Sequence, residues 1–428
     1  MPFAKPPSRR LAPPPPAPAR RSSRLFFTLF FTLSSFAEGG QAVVLLWLTY
    51  ALTSSALLIG LMVVLGYLPA ALLGLLFKRF ADRGRAGRVA RRTNTTLSVV
   101  SLLLAIQHFS SGGRTALSIT VIALSQVVLS IAKMFNKAAL NRLIRGAFER
   151  EEAGRLLAVS QSASLTGQVF GAGLAGVALA QGWITAGLVC AALAYAASAG
   201  SLALGTRGYA DRAEPSPGTK ESPADGGERT RGERAAVRIR WSPALIGVLV
   251  FSVPSSGALQ FLNTVLVPLA SAVAPEQPSY YALLNIVTIA GGFLAGVLLS
   301  TGAVSSRRVL GWALPVTVVL ALSLALVDAA YLVAVVAFGL SLAVTCHVIC
   351  MQVLTNQVPA DHEVGQFAVV RNVVASLAKA AFSFAAGTLV GVYGVTAAFV
   401  VLACSTALFA VGWLVMRPEW DAPGVSPR

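Results

Sequence analysis

Glu38 is the only charged side chain in an apolar run from Leu25 to Phe77. If that run crosses a bilayer, the carboxylate costs several kcal/mol unless it is paired, protonated or hydrated. Two readings follow. Glu38 exchanges a proton whose uptake is favoured by burial, or it is a structural partner for a basic residue. Four basic residues share its setting. Lys133 and Lys137 lie four apart and so fall on one helical face. Arg371 and Lys379 lie on a later segment, where Asn372, Ser376, Lys379 and Ser383 form a helical stripe. Gln161 and Gln168, seven apart, share a face of another helix, and Gln260, Asn263 and Thr264 follow Pro254 and Gly257 in what reads as an interrupted, cavity-lining helix. Such stripes are expected to face the protein interior, because lipid offers them no partner. Lys137 and Arg371 lie near segment ends, where they either join the pathway or snorkel to the interface. Lys379 is placed deeper and is expected to meet the substrate or Glu38. Four bases against one acid make the pathway electropositive, which suits an anionic or chelating cargo.

The remaining reactive residues point away from catalysis. His108, His347 and His362 are scattered, and Cys190, Cys346, Cys350 and Cys404 sit in apolar stretches without a CxxC pair. They read as packing or loop residues, with no metal site and no cofactor expected. Asp361-His362-Glu363 reads as a solvated turn. No paired acids or clustered histidines meet the geometric needs of an enzyme.

The elements that position these residues are long and greasy. Of 428 residues, 55% are hydrophobic and 12% charged, about half the charge of an average soluble domain. A bilayer needs about 20 apolar residues per helix. Twelve such spans begin near Leu25, Ser54, Thr95, Thr115, Gly154, Trp183, Trp241, Ser279, Val309, Ala330, Val364 and Gly394. The net charge of +17 would suggest nucleic acid in a soluble protein. Here the bases sit in short connectors, so nucleic acid is not an expected partner. Of the 34 Lys and Arg, 29 fall on one side of the alternating spans, four lie within spans, and Arg114 alone falls on the other side. The positive-inside rule then puts both termini in the cytoplasm.

The expected organisation is a disordered tail over residues 1–24 with no cleavable signal, a six-helix bundle over 25–206, a linker over 207–240 rich in Pro, Gly, Ser and mixed charge, a second bundle over 241–416, and a tail over 417–428. The bundles repeat each other: Leu143–Gly176 aligns onto Leu354–Gly387 at a constant offset of 211, matching Gln161 to Asn372 and Gln168 to Lys379. The glycines that follow, Gly182 and Gly394, differ by one residue more. Parallel repeats of six helices are one way to build an alternating-access carrier. Gly167, Gly171, Gly176 and Gly387 permit close helix packing, or a bend in the fifth span that serves coupling.

The connector after the second span reads Lys78-Arg79-Phe80-Ala81-Asp82-Arg83-Gly84-Arg85-Ala86-Gly87-Arg88. It resembles the cytoplasmic signature of the major facilitator superfamily, roughly Gly-x-Leu-Ala-Asp-Arg-x-Gly-Arg. Ala81, Asp82 and Arg83 match, Lys78 replaces the first Gly, and the closing Gly-Arg pair is out of register. Glu38-Gly39 with Leu46-Trp47-Leu48-Thr49-Tyr50 and Leu68-Pro69 is similar to the opening helices of the drug- and siderophore-exporting branch. Phe135-Asn136-Lys137-Ala138 and Glu151 resemble its fourth and fifth helices. Gly167-x-x-x-Gly171-Ala172-x-x-Ala175-Gly176 resembles the antiporter motif of exporters, with Ala172 and Ala175 in place of Pro and Gly. The resemblance implies an all-α membrane protein of twelve transmembrane helices in two pseudo-symmetric six-helix bundles, the major facilitator fold, with Asp82, Arg83 and Arg88 gating one side. It also implies a monomeric carrier of a bacterial inner (cytoplasmic) membrane that exports a small molecule in exchange for protons. A siderophore is the favoured cargo, antibiotic efflux the alternative, and lipid flipping a third possibility.

Overall fold

The computed structural model describes residues 21–76, 86–110, 115–147, 150–206, 241–275, 277–301, 305–359 and 363–420. Among the described residues all regular structure is helical. In chain order the helices are α1 (Arg21–Thr53), α2 (Ala56–Leu76), α3 (Ala86–Ser110), α4 (Thr115–Ala147), α5 (Arg150–Ala180), α6 (Ile184–Thr206), α7 (Pro243–Val273), α8 (Pro278–Ser300), α9 (Ser306–Leu326) and α10 (Ala330–Gln357). The last run, Val364–Trp420, is broken at Gly394, whose φ of 84° and ψ of 174° leave the helical region. It therefore comprises α11 (364–393) and α12 (395–420). A Cβ disfavours that backbone, which is why glycine stands there. Gly182, between α5 and α6, also has a positive φ of 73°. The two repeated glycines thus make the same turn in each half.

Nine helical runs among the described residues are long and apolar enough to cross a membrane, the last being the kinked pair Phe367–Met416. The apolar part of α5 is limited to Thr166–Ala180, and α3 begins with Arg88, Arg91, Arg92 and a run of Thr and Asn. Both helices start well inside polar connectors, which dilutes their mean hydropathy. The outer surface carries large apolar side chains, such as Phe170 and Leu408, 66% and 77% exposed. Water would penalise such a surface, and lipid does not.

Packing is uneven along the bundle axis. One core is shared by both halves and joins Val44, Leu48, Ile59 and Leu179 to Leu266, Tyr281, Phe399 and Leu402. At the opposite end each half has a core of its own. Phe27, Phe30, Ala90, Leu143, Leu156 and Leu202 cluster in the first half. Val248, Phe251, Val309, Met351, Phe367 and Trp413 cluster in the second. The separate cores lie at the ends bearing the long basic connectors. The halves are therefore joined at one end of the bundle and parted at the other.

Glycines make the joints. A Cβ on Gly60 would sit 2.6 Å from the Ser383 carbonyl, and one on Gly387 would sit 2.6 Å from the Ala56 carbonyl, so α2 and α11 touch backbone to backbone. A Cβ on Gly176 would collide with that of Ala282, which locks α5 to α8. Within the first half, Gly167 and Gly171 lie against the Thr32 and Phe36 carbonyls, and Gly39 against Gln168. These contacts bring α1 and α5 closer than side chains would allow.

Candidate functional site

In the first half, α1, α2, α4 and α5 present polar faces to a cavity of about 680 Å³. Its wall includes Ser34, Ser35, Glu38 and Gln41 of α1, Tyr67 of α2, Gln126, Ser130, Lys133 and Asn136 of α4, and Ser160, Ser164 and Gln168 of α5. The spacings of three or four residues place each set on one helical face. Gln260 of α7, 7% exposed, closes the wall from the second half.

Lys133 Nζ lies 3.0 Å from Glu38 Oε1 in this cavity. The side chains are 36% and 43% exposed respectively, so the pair faces open space and not a sealed core. Glu38 thus finds its partner on α4. Lys379, expected from sequence as the deeper candidate, instead holds its ammonium 5.1 Å from the centre of the Tyr67 ring. That cation–π contact ties α11 to α2 across the two halves.

A buried amide network supports the wall from behind. Asn94, with no exposed surface, donates from Nδ2 to Asn136 Oδ1 at 2.9 Å and to the Ala90 carbonyl at 2.9 Å. Its Oδ1 accepts from Ser198 at 3.1 Å and from Ser34 at 3.3 Å. One residue of α3 thereby fixes α1, α4 and α6. Nearby, Tyr195 donates to Gln41 at 3.4 Å.

The other expected residues are dispersed. Arg371 is 4% exposed and donates from Nε to Ser252 Oγ at 3.3 Å, so it is buried in the second half and does not snorkel. Asn372, expected to point inward, lies about 100° around the helix from Arg371 and is exposed. Ser383 lies in the interface with α7, with its hydroxyl 2.5 Å from that of Thr264. Asn263 is half-buried on α7, and Arg88 is exposed at the start of α3. Lys137 and Gln161 sit on α4 and α5, but their side chains lie outside the described residues, as do Asp82 and Arg83 altogether. Of the expected solvated turn, Asp361 and His362 lie outside the described residues. Glu363 departs from expectation by being buried, at the start of α11 where its backbone carbonyl accepts from the Phe367 N–H at 2.9 Å. Tyr67, Asn94 and Tyr195 were not singled out from sequence, and Asn136 entered only within the Phe135–Ala138 stretch. The run Gln126, Ser130, Lys133, with its helical spacing, carried the available signal.

No curated protein sequence matches the chain. Solved structures do match its fold. A bacterial homolog of the human lysosomal transporter Spinster, in its inward-facing, unoccupied conformation, aligns at 15% identity with a TM-score of 0.66, covering 94% of this chain and 96% of that one. The inward-open xylose transporter XylE from E. coli aligns at 13% identity and a TM-score of 0.66, covering 94% and 98%. The nucleoside transporter NupG aligns at 10% identity and a TM-score of 0.64, covering 92% and 99%. At such identities the likeness is one of fold. Residues 26–383 match the family model described as Major Facilitator Superfamily. This multi-pass membrane chain, which presents a polar cavity walled mainly by its first half, therefore belongs to the major facilitator superfamily and is a transporter, not an enzyme.

Proposed function

We propose that the chain exports a small amphipathic metabolite across a bacterial inner membrane by alternating access, with Glu38 carrying the coupling proton. The observation that carries this reading is the Glu38–Lys133 pair, a protonatable acid held against a base in a half-open cavity. A proton on Glu38 would release Lys133 from the pair. With the termini and basic connectors in the cytoplasm, the parted end of the bundle faces inward and the glycine joints seal the outside.

Proton exchange requires cargo and proton to compete for one group. A cargo that donates hydrogen bonds to the Glu38 carboxylate, through catechol hydroxyls or amide N–H groups, competes in this way. An anion bound at Lys133 would do the reverse. It would break the ion pair and favour proton uptake by Glu38, so that anion and proton travelled together. An exported acid must therefore have its negative group met elsewhere. A chelator of siderophore type, rich in hydroxyl and amide donors, fits these requirements best. Antibiotic efflux is the second reading, favoured where the cargo is cationic and binds Glu38 directly.

The test is secretion. A strain lacking the gene, grown without iron, is expected to accumulate less chelator in the medium, and wild-type but not Glu38→Gln protein should restore it. Unchanged secretion together with new drug sensitivity would favour the second reading.

A further inference from the structure

We propose that Arg371 of α11, held by Ser252 of α7, and His347 of α10 form an oxyanion-binding site in the second half, separate from the Glu38–Lys133 cavity. Arg371 is 4% exposed and uses Nε on Ser252, while its Nη2 is buried without a hydrogen-bond partner. No ion-pair partner for it occurs among the described residues. His347 has no exposed surface, lies within electrostatic range of Arg371, and leaves both ring nitrogens unpartnered. Ser255, one turn beyond Ser252 and 1% exposed, also has an unpartnered hydroxyl.

Unused donors cost free energy when buried, and an uncompensated buried cation costs more still. A guanidinium edge and an imidazole match a planar or tetrahedral anion with two or more oxygens, while Ser252, which donates to the Val248 carbonyl at 2.6 Å, holds the guanidinium in place. The internal repeat supplies a second indication. Within the repeat Arg371 corresponds to Ser160, and the same offset of 211 carried seven residues before its start sets His347 opposite Asn136. Both of those residues line the cavity of the first half. The basic cluster therefore occupies, in the second half, the position that the cavity wall occupies in the first. The ligand is a carboxylate or phosphate group. The proposed export reading bears only on its source, as the acidic end of the cargo, held away from Glu38 so that proton exchange is preserved.

The site is tested by thermal unfolding of the purified full-length protein in detergent. Sodium acetate, sodium hexanoate and sodium phosphate are titrated against sodium chloride at constant ionic strength. A saturable rise in Tm with an oxyanion but not with chloride is expected. Arg371→Gln should weaken the apparent affinity at least about tenfold, Arg371→Lys less so, and the exposed-site control Arg91→Gln should retain it. Hexanoate acting at lower concentration than acetate assigns the site to the acid group of a larger cargo, whereas phosphate acting best assigns it to a free anion. Absence of an oxyanion-specific rise in the wild type overturns the proposal, as does an undiminished rise in Arg371→Gln. Should Arg371→Gln not yield folded protein, His347→Gln is read in its place, with the same loss expected. No gradient is involved, so a failure of the export reading would leave this result intact.

Discussion

Lys133 on α4 and Glu38 on α1 form a 3.0 Å ion pair inside the cavity, and that pair joins the only acid of the α1–α2 apolar run to a base nearly 100 residues away. Because both side chains are more than a third exposed, the pair is screened and contributes little to folding stability. Its role is better sought in transport. The double variant Glu38→Lys/Lys133→Glu should fold and melt within about 3 °C of wild type, because the charges still meet. Lys133→Glu alone places two acids together and should lower Tm further. Equal melting of the single and double variants would show that the pair does not form.

The α1–α5 crossing should be intolerant of side chains. A Cβ on Gly171 would strike the Phe36 carbonyl, whereas one on Gly200 meets nothing within 4 Å. Gly171→Val should destabilise by about 1–3 kcal/mol or prevent folding, as overpacking does. Gly200→Ala should be silent. Size-exclusion profiles of fluorescently tagged protein compare the two directly.

Asn94 donates to Asn136 and accepts from Ser198 and Ser34, so its replacement strands several buried groups at once. Asn94→Leu is expected to cost about 1–3 kcal/mol, seen as a fall in Tm. Asn372→Leu, at an exposed position, should change Tm little.

The glycine joint between α2 and α11 should be as intolerant of side chains. A Cβ on Gly60 would sit 2.6 Å from the Ser383 carbonyl, and one on Gly387 2.6 Å from the Ala56 carbonyl. Gly387→Val should therefore pry that end open and stop transport, whereas Gly391→Ala, where a Cβ meets nothing within 4 Å, should leave transport intact. Full transport by Gly387→Val, inserted at the wild-type level, would contradict an alternating seal at this joint.

The sequence made the spans easy to read because a charge-free run of bilayer length has few other uses. The expected start near Thr95 differs from the observed start of α3 at Ala86 for a simple reason. Arg88, Arg91 and Arg92 are good helix formers, so the helix continues past the lipid boundary that hydropathy detects. The break at Gly394 was legible because glycine alone is at ease at its positive φ. The pairing within the site was not legible. The sequence pointed to Lys379 as the base for Glu38, whereas the pairing with Lys133 depends on the rotation of α1, which the Gly39–Gln168 and Gly171–Phe36 contacts hold against α5. Likewise His347 reads as packing along the chain, and only the fold brings it within electrostatic range of Arg371.

Proton exchange at Glu38 is the claim on which the transport account stands. It is tested most directly in everted vesicles carrying a fluorescent pH probe, energised and then supplied with extract of the chelator-producing cells. Wild-type protein is predicted to release protons on addition of extract, and Glu38→Gln, inserted to the same level, to release none. Equal proton release by the two proteins would contradict the account.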